Sequence, residues 1–265
     1  MATGGCKEIH VRNIELTGRI TSDVRCSLVK DIVKFILYHR EQIPLPYEQL
    51  KYYFERQENI KKGSEARKLS QLLDSVQELC SNLDLLFQTT SDVGQILILL
   101  GPTIATPKEI FEIKFTPNPL VGPLMEVPSC KMCSRLLHKS LVTYNTLIDI
   151  NPPSLTSMHI LFHGQRSADT KWFKPKHNFK IPKRGQHFTF QIFSKQSKSV
   201  KDPCQPIRGD VEGSECHRKE QNGINIREGT VADKEDFLWF MAPTIIKGIK
   251  DSVLCIPQQG ELWVQ

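Results

Sequence analysis

The chain has 265 residues, 39% hydrophobic and 24% charged, which is enough for one sizeable domain and matches the composition of soluble globular proteins. No apolar run approaches the roughly 18 residues of a membrane span, and the polar start MATGGCKEIHVRN has no signal-peptide core. The expectation is therefore a cytosolic or nuclear protein without a membrane partner, its eight cysteines mostly reduced. The net charge of +6 favours acidic partners without selecting nucleic acid over protein.

Residues 1–20 read as a flexible arm. A helix is predicted from about Thr21 to Gln42, with N-cap candidates in TSD and a stop enforced by Pro44. Val29, Ile32, Val33, Ile36 and Leu37 spread beyond one narrow stripe, which predicts a helix sandwiched in the interior. Two prolines in IPLPYEQLKYYF forbid a continuous helix, yet Tyr47 to Phe54 suit a short one. The charged ERQENIKKGSEARK reads as a surface loop. Leu69, Leu72, Leu73, Val76, Leu79, Cys80, Leu83, Leu86 and Phe87 then recur at spacings of three and four, the clearest helix in the sequence.

QILILLG is a short, continuous apolar run and predicts a strand buried on both faces. IFEIKF alternates Phe111, Ile113 and Phe115 against Glu112 and Lys114, as a strand with one wet face does. A further helix is expected within about Ser129 to Ile148, lined by Cys133, Leu137, Leu141, Tyr144 and Ile148. SMHILFH and HFTFQIF read as strands, residues 195–236 as a flexible loop insertion, and DFLWFMAPTIIKGIK as strand-like again. The order of elements predicts an α+β domain over residues 21–251 with a largely antiparallel sheet, followed by a tail at 252–265.

Few residues suggest chemistry. Cys130 and Cys133 form a CxxC, but the remaining cluster, Cys204, Cys216 and His217, lacks the spacing of a zinc site, so buried free thiols are expected. His159 and His163 are four apart on a predicted strand, which is the wrong geometry for a shared metal. No phosphate-binding loop, nucleophile elbow or paired carboxylates appear, so neither an enzyme nor a cofactor is expected.

The segment KWFKPKHNFKIPKRG carries six Lys or Arg from Lys171 to Arg184 and no carboxylate. It fits a solvated edge strand, since Lys and Pro blunt sheet edges, and equally a docking loop for an acidic partner. Trp172, Phe173, Phe188 and Phe190 could stack bases, but Phe188 and Phe190 alternate in the phase of a core-facing pair, so nucleic acid is not the expected partner.

Four segments, REQIPLPYEQL (40–50), ILILLGPTIATPKEIFE (96–112), WFKPKHNFKIPKRG (172–185) and WFMAPTIIKGIKD (239–251), together resemble the comet family of HORMA-fold proteins. The resemblance spans most of residues 24–251. It implies a HORMA-like α+β fold: three helices packed on a largely antiparallel sheet, with a C-terminal segment wrapping the core. It further implies a non-enzymatic adaptor of the spindle assembly checkpoint, in nucleus and cytoplasm and near spindle or kinetochore in mitosis. Such an adaptor binds closed mitotic-arrest-deficient protein two, silences the checkpoint and presents that partner to a hexameric AAA+ ATPase. By the same resemblance the checkpoint protein is met by His39, Arg135, His138, Lys139 and Val142, and the ATPase by Trp172, Phe173, Lys174, Pro175 and Lys176. Trp239, Phe240 and Pro243 belong to the wrapping segment. His39 and His138 depart from the family, which carries glutamine and phenylalanine there. A HORMA module of a meiotic or DNA-repair complex remains an alternative at this stage, as does a basic nucleic-acid-binding protein.

Overall fold

The computed structural model describes residues 9–56, 63–90, 93–116, 127–144, 147, 149–166, 170–195 and 237–250. Strand β1 (Ile9–Thr17) occupies part of the expected flexible arm. Its apolar residues change phase between the exposed Ile9 and Val11 and the buried Ile14 and Leu16, so the alternation that marks a strand is broken in the sequence. Parallel pairing with β6 (Gln186–Lys195), from Ile9↔His187 to Thr17↔Lys195, holds it in place.

Helix α1 (Ser22–His39) starts at Thr21, whose hydroxyl accepts the Val24 amide at 3.4 Å. It buries residues around most of its circumference and is sandwiched between two other helices, as its apolar spread predicts. The chain reverses at Glu41, a non-glycine residue with φ of 52°, and enters α2 (Tyr47–Arg56). Helix α3 (Ser64–Thr89) takes in Ser64 to Lys68, which were expected in a loop, and Lys68 pairs with Glu65 one turn back at 2.8 Å. Helix α4 (Cys130–Val142) is shorter than the sequence suggests.

The remaining strands are β2 (Gln95–Leu100), β3 (Glu109–Phe115), β4 (Ser157–Gln165), β5 (Lys174–Lys176), β7 (Phe237–Met241) and β8 (Ile246–Lys247). The sheet order is β1-β6-β3-β2-β4-β7-β5, with β8 also on β4. All pairings are antiparallel except β1 with β6 and β6 with β3. Strand β7 is thus inserted between β4 and β5, which are consecutive in the chain. Gly185, with φ of 105°, lets the backbone pass the β2–β3 turn closely enough for the Gln186 amide to reach the Lys108 carbonyl at 2.8 Å. A Cβ at Gly185 would stand 2.9 Å from the Pro107 carbonyl oxygen.

Helices α1, α3 and α4 cover one sheet face and enclose the main core. The opposite face has a smaller apolar cluster of Leu97, Leu99, Ile110, Leu161 and Trp239, covered by Ile104, Phe179, Ile181 and Met241. Strand β2 is therefore buried on both faces, as its unbroken apolar run predicts, each leucine contributing about 1.5–3 kcal/mol. The face expected to be wet on β3 is wet only at Lys114. Glu112 is buried, with Thr189 donating to it at 3.3 Å, Lys114 at 2.9 Å and Gln95 also bonded.

Candidate partner-docking surfaces

Helix α4 is oriented by three inward residues and two lateral pins. Cys133, Leu137 and Leu141 are buried at helical spacing. On the α1 side the Ser134 hydroxyl donates to the Asp31 carboxylate at 2.5 Å. On the β1 side Arg12 donates to the Ser140 hydroxyl, the Ser140 carbonyl and the Thr143 hydroxyl, each at 3.0 Å. The Ser129 hydroxyl caps the helix by accepting the Met132 amide at 3.3 Å. Cys130, expected to be buried beside Cys133, is exposed at the first position of the helix, although three-residue spacing puts it on the same side as the buried stripe.

With these residues turned inward, Arg135, Lys139 and Val142 run down the outer face. His138 lies toward α1, and Met132 and Leu136 toward β1. Val142 is 54% exposed and Met132 42%, an apolar pair set among cations. His39 at the end of α1 joins this surface. Its ring stacks on Phe35 with centroids 3.9 Å apart and meets Tyr38 edge-on at 5.3 Å. Partial burial, followed by the nearby His138 and Arg40, lowers the His39 pKa below the usual imidazole value. The five positions assigned to the checkpoint partner by resemblance therefore form one surface across α1 and α4. Met132 and Leu136 were not singled out from the sequence, although both are apolar residues off the buried stripe.

The base of this surface is fixed by a buried hub that sequence reasoning missed. Arg40 is 1% exposed, and all its N–H groups are engaged. Nε donates to Glu109 at 3.0 Å, Nη1 to the Leu147 and Ile150 carbonyls at 2.9 Å, and Nη2 to the Asn151 carbonyl at 2.9 Å and to Glu109. Burial raises the Glu109 carboxyl above its usual pKa, and the Arg40 guanidinium opposes that rise. Beside it, Gln42 donates to the Arg40 carbonyl at 2.7 Å and accepts the Thr156 amide at 2.8 Å, while its own carbonyl accepts the Ile249 amide at 2.9 Å. Residue spacing puts REQ at the end of a predicted helix, and nothing local in it marks Arg40 as buried.

The second surface is the opposite edge of the sheet. Strand β5 pairs with β7 through Lys174↔Met241, Pro175↔Phe240 and Lys176↔Trp239, and its other edge is unpaired among the described residues. Lys174 and Pro175 are exposed and Lys176 is half-buried. Phe173, expected at the docking surface, is instead a core anchor. It is 3% exposed and edge-on to Phe162 at 5.0 Å, because the residue before the strand turns under the sheet. Trp172 is half-buried against the core, and its indole N–H donates to Glu78 on α3 at 3.0 Å. Beyond β5 the chain folds back over the sheet with Phe179 and Ile181 inward, leaving Lys180, Lys183 and Arg184 exposed or at the rim. A groove of about 640 Å³ lies there, lined by Ile104, Pro175, Lys176, Phe179 and Lys180 among others. Phe188 and Phe190 are fully buried, in the phase read from the sequence, so they form no base-stacking platform.

The C-terminal segment joins both halves. Trp239 faces the smaller cluster, 5.7 Å from Phe179, while Phe240 faces the helices and stacks on Phe162 at 4.9 Å. Pro243 is exposed at the bend that follows. Thr244 donates to the second oxygen of Glu78 at 2.6 Å, so one carboxylate on α3 holds both the basic segment and the wrapping segment. Among the described residues, no group of three or more His, Cys, Asp or Glu side chains is placed to hold a metal.

Helices on one face of a mostly antiparallel sheet, with the C-terminal strand built into that sheet, give the architecture of a HORMA-like binding module. The family profile described as "p31comet: Mad1 and Cdc20-bound-Mad2 binding" matches residues 6–204, and the chain belongs to this family. It is 28% identical over 247 residues to the human MAD2L1-binding protein, covering 88% of this chain and 78% of that protein. The mouse MAD2L1-binding protein is 27% identical over 244 residues, with 88% and 77% covered.

Proposed function

We propose that this protein is an adaptor that docks through α4 and the end of α1 on the closed form of a Mad2-type HORMA protein. The β5 edge then presents that partner to a hexameric AAA+ ATPase, and the outcome is silencing of the spindle assembly checkpoint. The observation that carries this reading is the separation of two candidate surfaces. The α4 face lies beside β1 at one edge of the sheet, and the Lys174–Lys176 strand forms the other edge. Two partners can therefore be held at once without competing for area. Supporting it are the names of the human and mouse relatives, which both specify binding to MAD2L1. The β7 insertion fits the same reading, because a module whose own C-terminal strand fills the sheet has no need of a captured peptide there. Reconstitution tests it. The purified chain is mixed with closed Mad2-type protein, then with ATPase and ATP, and conversion of the partner to its open form is followed by ion exchange. Binding without ATP-dependent conversion would leave the adaptor and remove the delivery role. Absence of binding would remove both.

A further inference from the structure

Helix α4, CKMCSRLLHKSLV, carries no carboxylate, and the charged groups on its outward side are all basic: Lys131, Arg135 and Lys139, with His138 beside them. The carboxylate on the seam with α1, Asp31, is taken by the Ser134 hydroxyl at 2.5 Å. Arg12 of β1, the nearest cation on the other side, is turned onto Ser140 and Thr143 and adds no negative charge. Val142, Met132 and Leu136 provide the exposed apolar area of the same face. A partner covering that area must desolvate Arg135 and Lys139. Cations buried without counter-charges are strongly destabilising, so an uncharged or basic partner face would be rejected.

We infer that this face takes a partner helix whose apolar stripe is flanked by carboxylates, and that His39 takes up a proton when that helix docks. The inference rests on the proposed docking surface and specifies the chemistry of what sits on it. The groups acting on His39 are His138 from α4 and Arg40 from its own helix, with the Tyr38 ring edge against it and Phe35 stacked beneath. Each is cationic, titratable to a cation or uncharged, so in the free protein these groups and partial burial disfavour the imidazolium of His39. A carboxylate brought against His39 reverses the balance and favours the charged form. Binding and protonation are then linked, and affinity must rise as pH falls through the imidazole range.

The test is calorimetry of the full chain with a closed Mad2-type protein at about pH 6 and about pH 8. It is repeated in two buffers of different ionisation enthalpy, so that proton uptake is counted directly on the unmodified chain. The expected result is net proton uptake, with affinity roughly three- to tenfold higher at the lower pH, the ceiling for one proton being about tenfold per pH unit. Affinity should also weaken with added salt. In His39→Gln the pH dependence should vanish while the salt dependence persists, and in Lys131→Gln/Lys139→Gln the salt dependence should weaken while the pH dependence persists. Proton release, or affinity that is flat or falls toward low pH, would overturn the inference while leaving the docking surface intact. No binding at either pH would remove the docking surface itself, and this inference with it.

Discussion

Arg40 and Glu109 meet in the interior, where the guanidinium at the end of α1 closes on a carboxylate at the start of β3, 69 positions away in sequence. The remaining guanidinium N–H groups hold the Leu147, Ile150 and Asn151 carbonyls, so one side chain fixes α1, β3 and the segment that follows α4. Arg40→Ala would leave a buried carboxylate and several carbonyls without donors. The expected loss is about 3–5 kcal/mol in urea unfolding. Replacing both partners, as Arg40→Met/Glu109→Leu, should recover a substantial part of it, because the unpaired charge is then gone. A double variant as unstable as Arg40→Ala would mean that the carbonyl contacts, not the ion pair, dominate.

That hub marks the boundary of what the sequence discloses. The apolar stripes of α1, α3 and α4 and the two-faced burial of β2 follow from residue spacing, because helix and strand periods are local. Strand β1 does not, because its residues change phase and its stability comes from a neighbour in β6 about 180 positions later. Phe173 looked like a surface aromatic in a cationic run, yet it is buried, since the backbone turn that points it inward is not written in composition. Of the α4 face, the cations were legible as polar residues off a buried stripe. Its company with His39 depends on how α1 and α4 cross, which is tertiary information.

Glu112 should set part of the acid stability. Burial alone would raise its carboxyl, but the His187 ring at 3.6 Å and the Lys114 ammonium at 2.9 Å reverse this and hold it at about 2. A carboxyl held below its unfolded value of about 4.3 stabilises the fold above that value and loses the contribution as pH falls toward the folded one. Between about pH 5 and pH 2 the wild type should therefore lose up to about 3 kcal/mol more than Glu112→Gln. Urea midpoints measured across that range would run parallel for the two proteins if the network contributes nothing.

Glu78 couples two surface segments through one carboxylate. Each bond is exposed to water and is worth about 0.5–1.5 kcal/mol. Glu78→Ala should cost about 1 kcal/mol globally and accelerate amide exchange in residues 237–250 more than in β2 or β3. A double-mutant cycle with Thr244→Val isolates the wrapping-segment bond. Strict additivity in that cycle would show that the contact carries no energy.

Charge reversal on the docking face gives a direct check of the proposed partner contact. Arg135→Glu/His138→Glu changes two exposed side chains off the Cys133/Leu137/Leu141 stripe, so unfolding should shift by no more than about 0.5 kcal/mol. Binding to the closed Mad2-type protein should weaken by several kcal/mol in rough terms, because the seam would lose the Arg135 cation and gain two unfavourable charges. Unchanged affinity by calorimetry would place the partner elsewhere on the molecule.

At the other edge of the sheet, Pro175→Ala/Lys176→Ala should abolish ATPase-driven opening of the partner while sparing binary binding. The structure makes this substitution selective. Phe173 anchors the segment from below, and Phe179 and Ile181 anchor it after the strand, so the register against β7 should survive removal of two side chains between them. Pro175 is exposed and stiffens a short edge. Its loss raises the ordering cost of docking by about 0.4–1 kcal/mol. Lys176 lines the groove of about 640 Å³ beside Lys180, and its removal takes one charge from a contact that depends on complementarity, a loss that moderate salt should mimic. The new amide at position 175 also gives the edge strand a hydrogen-bond donor that proline withheld, so solubility should be monitored alongside. Conversion is read by ion-exchange separation of open and closed partner at low and moderate salt, with calorimetry reporting binary binding in the same preparations. Full conversion by the double variant would reduce the basic segment to a solvated sheet edge, and loss of binary binding with it would mean that the two surfaces are not independent.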